Sequence, residues 1–89
     1  MTEERRTATA VTLLTSADCL MCEHAKQVLL DVGRDHPLVV EEIGLDTDRG
    51  RSLAAEHGVM FAPGVLLDGR AFAYGRLSER KLRKALAAA

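Results

Sequence analysis

Tryptophan is missing from this 89-residue chain, and its aromatic residues stop at Phe61, Phe72 and Tyr74. A surface that grips single-stranded nucleic acid needs several stacking platforms, so that class is excluded. Neither charge sign dominates: 12 Lys and Arg against 13 Asp and Glu leave a formal net charge of -1. Such a balance gives no basic footprint for phosphates and no strong acidic field. No apolar run approaches the roughly 20 residues of a membrane-spanning helix. The stretch Ala8 to Leu14 is too short and too threonine-rich for a signal-peptide core. A cytoplasmic protein with no membrane or nucleic-acid partner is therefore expected. Cysteine is scarce as well. Its two copies, Cys19 and Cys22, lie only three positions apart. The loop they close is too small to staple a fold, so the disulfide framework of a small secreted domain is excluded.

What remains is ordinary globular material, 47% hydrophobic and 28% charged. A chain of this length buries roughly 60–65% of its unfolded surface, enough for one aliphatic core. Residues 1–7, with Glu3 and Glu4 beside Arg5 and Arg6, read as a solvated tail, and residues 8–89 as one domain. Thr9 to Leu14 is β-branched and apolar without helical period, which predicts a buried strand. Thr15-Ser16-Ala17-Asp18 breaks it and offers cap chemistry, with Asp18 or Cys19 at the boundary. Apolar residues at helical spacing, Cys22, Ala25, Val28, Leu29 and Val32, predict a helix from Leu20 that stops at Gly33. A second strand is expected over Leu38 to Ile43, parallel to the first. A short helix follows, capped by Asp46-Thr47-Asp48 and ended by Gly58. Val65 to Leu67, the turn Asp68-Gly69 and Ala71 to Tyr74 predict a hairpin. Ser78 then caps a last helix with Leu82 and Leu86 inward and Arg80, Lys81, Arg83 and Lys84 outside. The expected architecture is α/β, ordered β-α-β-α-β-β-α, with a mixed four-stranded sheet and helices on both faces.

Cys19-Leu20-Met21-Cys22 stands where the first strand turns into the first helix. Two intervening residues let the sulfurs face each other across one helical turn. There they can form a reversible disulfide or offer two soft ligands to one metal ion. Free N–H groups and the positive end of the helix dipole favour thiolate over thiol at such a place. Thiolate is the form that attacks disulfides, so the pair reads first as a redox motif.

The element order, the cysteine pair at the first strand-to-helix junction and Ala62-Pro63 before the third strand together resemble the thioredoxin and glutaredoxin superfamily. The resemblance spans the chain after the tail, and the compact length is nearer the glutaredoxins. It implies dithiol–disulfide exchange, with electron transfer and redox homeostasis as its setting. Cys19 would be the exposed nucleophile and Cys22 the buried resolving thiol. Pro63 would be cis, with the Ala62 backbone pairing to an extended substrate, and Leu20 and Met21 would line the approach. Implied partners are disulfide-bearing proteins and a reductant, either a thioredoxin reductase-like enzyme or a low-molecular-weight thiol. No cofactor or resident metal is expected, and a monomer is.

The chain also departs from both parent patterns. Leu20 replaces the proline that glutaredoxins carry after the first cysteine, and Ser16 replaces a basic residue before it. Ala73-Tyr74 replaces their glycine pair, so glutathione itself is not supported as reductant. Asp18 stands where thioredoxins carry tryptophan, and no acid lies among Val11 to Leu14 to handle the Cys22 proton. The alternative is a carrier for a soft metal such as copper(I), mercury(II) or zinc, with His24 or Met60 adding ligands. The chain has no second Cys-x-x-Cys and no His-x-x-x-His.

Overall fold

Seven elements emerge in the computed structural model, which describes residues 8–88. They are β1 (Thr9–Thr15), α1 (Leu20–Gly33), β2 (Leu38–Gly44), α2 (Asp48–His57), β3 (Gly64–Leu67), β4 (Arg70–Tyr74) and α3 (Glu79–Ala88). The tail expected over residues 1–7 lies outside the described residues. The strands form one sheet in the order β2-β1-β3-β4. β1 runs parallel to β2 from Thr9↔Leu38 to Thr15↔Gly44, and β3 lies antiparallel to β1 and β4.

Strand alternation sorts the apolar residues to two faces. Val11, Leu13 and Val65 pack against Ala25, Val28, Leu29 and Val32 of α1 and Leu82 of α3. Leu14, Ile43 and Leu66 are buried on the opposite face. That face is covered by α2, whose Gly50 is buried in the first turn. A Cβ at Gly50 would collide with the Gly44 carbonyl oxygen and approach the Leu45 Cα. Close approach of the α2 backbone to the end of β2 is therefore what the glycine permits.

Local signals explain most boundaries. Thr47 caps α2, its Oγ1 accepting the Gly50 N–H at 2.9 Å. Gly58, at φ 70°, closes that helix in the left-handed region. A C-terminal glycine commonly does so, since it lacks the Cβ that would clash there. Asp68 (φ 48°) and Gly69 (φ 80°) make the two-residue hairpin turn. Positive φ values at both positions match the twist of the flanking strands. The Ser78 Oγ accepts the Lys81 N–H at 3.1 Å at the start of α3.

Two details differ from the sequence-based expectation. Gly33 is the last residue of α1 and not a left-handed stop; Arg34 follows at φ -69°, its N–H turned back to the carbonyls of Asp31 and Val32. Arg83, expected outside, ties α3 to the α1–β2 turn. Its Nη1 donates to Asp35 at 2.7 Å, its Nε to Glu79 at 2.9 Å and its Nη2 to the Asp31 carbonyl at 3.3 Å. The hydrogen bonds to Asp35 first and then to Glu79 raise the Arg83 pKa above its ordinary value. A guanidinium fork spans three acceptors at once, which fixes how α3 lies on α1.

Candidate active site

β1 ends at Thr15, whose carbonyl accepts the Leu45 N–H at 2.7 Å. Asp18 then takes φ 53°, a left-handed value. Short polar side chains tolerate that region better than others. This single reversal delivers Cys19 to the start of α1. Cys19 itself is the N-cap, extended at φ -111° and ψ 105°. Of the two boundary residues suggested by the sequence, the cysteine fills the role.

Cys19 and Cys22 are disulfide-bonded, with Cα atoms 5.2 Å apart. The Cys22 N–H donates to the Cys19 Sγ at 3.0 Å, while the Cys19 carbonyl accepts from the N–H groups of Cys22 and Glu23. The first-turn N–H groups of α1 thus converge on Cys19. In the reduced protein the same donor and the helix dipole favour negative charge on that sulfur. The two thiols are unlike. Cys22 is 2% exposed, in the buried core with Ala25, whereas Cys19 is half-buried at the surface. No polar or charged side chain is buried among the described residues, so no acid lies beneath Cys22.

Pro63 arrives at the same end of the sheet. β3 begins at Gly64, which pairs with Leu14 near the end of β1. The residues before β3 and the turn carrying Cys19 therefore share one rim. The Ala62–Pro63 peptide is cis, as the resemblance implies, and both residues are buried. The Pro63 carbonyl accepts the Gly75 N–H at 2.7 Å, fastening this loop to the end of β4. Phe61 packs edge-on against Tyr74, ring centroids 5.1 Å apart, and lies over Gly75, where a Cβ would meet its ring at 3.1 Å. This aromatic pair was not anticipated from the sequence. Its only signal there was that two of the three aromatic residues flank the segment around Pro63.

Side-chain exposure completes the picture. Leu20 is 86% exposed, Met60 76% and Phe61 54%, with Met21 and Tyr74 also exposed. These five belong to the cysteine turn, the loop before Pro63 and the strand end that holds it. Among the described residues the remaining large exposed apolar side chains, Leu30, Val39 and Val40, lie on α1 and β2. Among the described residues no group of three or more His, Cys, Asp or Glu side chains gathers to hold a metal ion. No described helix is long and apolar enough to cross a membrane.

A sheet of this order, with a Cys-x-x-Cys capping its first helix and a cis-proline just before its third strand, defines a thioredoxin-fold protein. Known structures agree. The chain superposes on a variant thioredoxin from Halobacterium salinarum with a TM-score of 0.70 at 20% identity, over 90% of this chain and 73% of that one. A thioredoxin-like protein from Clostridium perfringens gives 0.71 at 13% identity, over 92% and 71%. MTB DsbF, solved in mixed oxidized and reduced forms, gives 0.65 at 19% identity, over 92% and 81%. No family model matches the sequence. No curated protein matches it either. The likeness is one of fold.

Proposed function

We propose that this protein reduces disulfides in protein substrates by dithiol exchange. The observation that carries the reading is the asymmetry of the pair: a half-exposed Cys19 capped by a backbone N–H, within disulfide reach of a buried Cys22. The Cys19 thiolate attacks one sulfur of a substrate disulfide; a mixed disulfide forms, and the other substrate sulfur leaves as thiolate and takes a proton from water. Cys22 gives its proton to solvent and attacks the Cys19 sulfur. The second substrate sulfur leaves, and Cys19–Cys22 holds the two oxidising equivalents. A thioredoxin reductase-like enzyme or a low-molecular-weight thiol returns two electrons. In a reducing compartment such as the cytoplasm the enzyme disulfide is transient.

The exposed rim of Leu20, Met21, Met60 and Phe61 supports a protein rather than a small polar thiol as substrate. An extended segment crossing this rim would pair with the Ala62 backbone and set apolar side chains against these residues. Tyr74 occupies the ground where glutaredoxins carry glycine, which supports the same choice. The test is turnover of a disulfide-bearing protein, with electrons supplied in turn by dithiothreitol, a thioredoxin reductase and glutathione. Catalysis above the uncatalysed rate is expected with at least the first. No acceleration with any of the three overturns the proposal.

A further inference from the structure

The even overall charge conceals an uneven distribution. Half of the chain's 12 Lys and Arg fall within residues 70–84, where Glu79 is the one acid. Glu79 is held by Arg83 at 2.9 Å, and Asp68, just before this stretch, accepts the Ala10 N–H at 2.9 Å. Lys26, Arg34, Arg49 and Arg51 elsewhere each lie against a carboxylate. Among the described residues Arg70, Arg76, Arg80, Lys81 and Lys84 have no carboxylate within ion-pair distance. Arg76 and Lys81 are exposed, and both line a groove of about 500 Å³ beside β4, closed by His57 at the end of α2 and Ser78 before α3. None of its lining residues is acidic. His57 has its own neighbour in Glu56, at 3.8 Å, which leaves Arg76 and Lys81 as the uncompensated charge. Like charges gathered in a cleft raise the local concentration of anions.

The groove continues the apolar rim of the cysteine site. Tyr74 lines it and packs against Phe61. Gly75, whose N–H holds the Pro63 carbonyl at 2.7 Å, is followed directly by Arg76. β4 forms one wall, and among the described residues no strand pairs with its outer side. Unpaired backbone groups there suit a peptide better than a nucleic acid or a lipid surface. The register of β3 and β4 shifts at Val65 and Leu66, which keeps any such pairing short, so charge carries the selection. We propose that this groove is an exosite for an acidic segment of the substrate protein, with Asp or Glu a few positions from the cysteine attacked. The inference rests on disulfide exchange at Cys19 and adds a substrate class to it. The segment's carboxylates pair with Arg76 and Lys81 while its apolar part covers Met60 and Phe61. Exposed ion pairs are worth little singly. Their effect is therefore on the choice of substrate and the rate of encounter rather than on tight binding.

Two measurements test this, one of them independent of turnover. A cysteine-free peptide of alternating acidic and apolar residues is titrated into the oxidised protein and followed by amide chemical shifts. It is expected to bind weakly, less so at high salt, and to shift Tyr74, Arg76 and Lys81. No binding at millimolar concentration overturns the proposal, as does equal binding of a single-stranded DNA of the same charge. In turnover, kcat/KM is compared for a disulfide substrate with an acidic flank and one with a neutral flank. The ratio of the two should fall about tenfold when Arg76→Glu and Lys81→Glu are combined. Arg76→Gln with Lys81→Gln lowers it by about threefold, should the reversed pair fold poorly. A ratio that neither pair alters overturns the exosite even where Cys19–Cys22 exchange proceeds. Salt-sensitive peptide binding at the groove without any turnover overturns disulfide reduction instead, and leaves the groove standing as an acidic-peptide site.

Discussion

Reducing the Cys19–Cys22 bond should change the stability of this fold by no more than about 1 kcal/mol, because two opposing effects nearly cancel. The bond spans a sequence separation of 3, so it closes a loop of four residues. Chain-entropy arithmetic for so short a loop gives about 6 cal/mol/K, or about 1.9 kcal/mol at 25 °C, in favour of the oxidised fold. Reduction frees the Cys19 sulfur to act as a full N-cap acceptor. The Cys22 N–H is already aimed at it at 3.0 Å. A cap bond is worth about 1 kcal/mol and a charged acceptor up to roughly twice that, in favour of the reduced fold. Stability and potential are linked: whichever form is more stable by about 1.4 kcal/mol shifts the potential by about 30 mV. The pair should thus sit within about 20 mV of an unstructured Cys-Leu-Met-Cys peptide. Denaturant unfolding of the oxidised and reduced protein, alongside equilibration in glutathione redox buffers, measures both quantities. A reduced form more stable by about 3 kcal/mol or more would refute the reasoning, since one cap cannot supply it.

Leu82→Ala removes a fully buried side chain where α3 meets the sheet. It should cost about 2–5 kcal/mol by denaturant unfolding. Gly50→Ala and Gly33→Ala form a pair with opposite signs. At Gly50 the new methyl has no room against the Gly44 carbonyl. About 1–3 kcal/mol is therefore lost there despite better helix propensity. At Gly33 the nearest neighbour is the Leu38 Cδ1 at 4.0 Å, which is ordinary contact. Propensity wins at that position, and about 0.5 kcal/mol is gained. Equal effects at the two sites would contradict the packing account. The Lys26 pKa is raised by its hydrogen bond to Glu23, then by Glu42. A raised pKa means the contribution is present below the ordinary lysine value of about 10.4 and fades as pH climbs through the folded value. Lys26→Met should therefore lose that alkaline component of the stability–pH curve, most visibly at low salt, and an unchanged curve above about pH 10 would refute the assignment.

The sequence was most legible where one residue type has one physical use. β-branched residues marked β1, apolar residues at helical spacing marked the buried face of α1, and Asp68-Gly69 fixed the hairpin. The cysteine pair was legible for the same reason, since its place at a strand-to-helix junction already implied thiolate chemistry. Less legible were features whose cause lies across the fold. Gly50 looks like a poor helix former until the Gly44 carbonyl is found against it. Gly33 looks like a stop signal, yet the turn is made by Arg34 with ordinary backbone angles. Arg83 looks solvated until Asp35, far away in sequence, comes within 2.7 Å. Phe61 and Tyr74 meet where Gly64 pairs with Tyr74 and the Gly75 N–H binds the Pro63 carbonyl.

Trapping of the covalent intermediate tests the central claim most directly. With Cys22→Ser the mixed disulfide between Cys19 and a disulfide-bearing protein has no resolving thiol. It should accumulate as a one-to-one adduct, visible by intact mass and released by dithiothreitol. Cys19→Ser, which leaves only the buried thiol, should form none under the same conditions. An adduct through Cys22 instead of Cys19, or no adduct with either variant, would contradict the account.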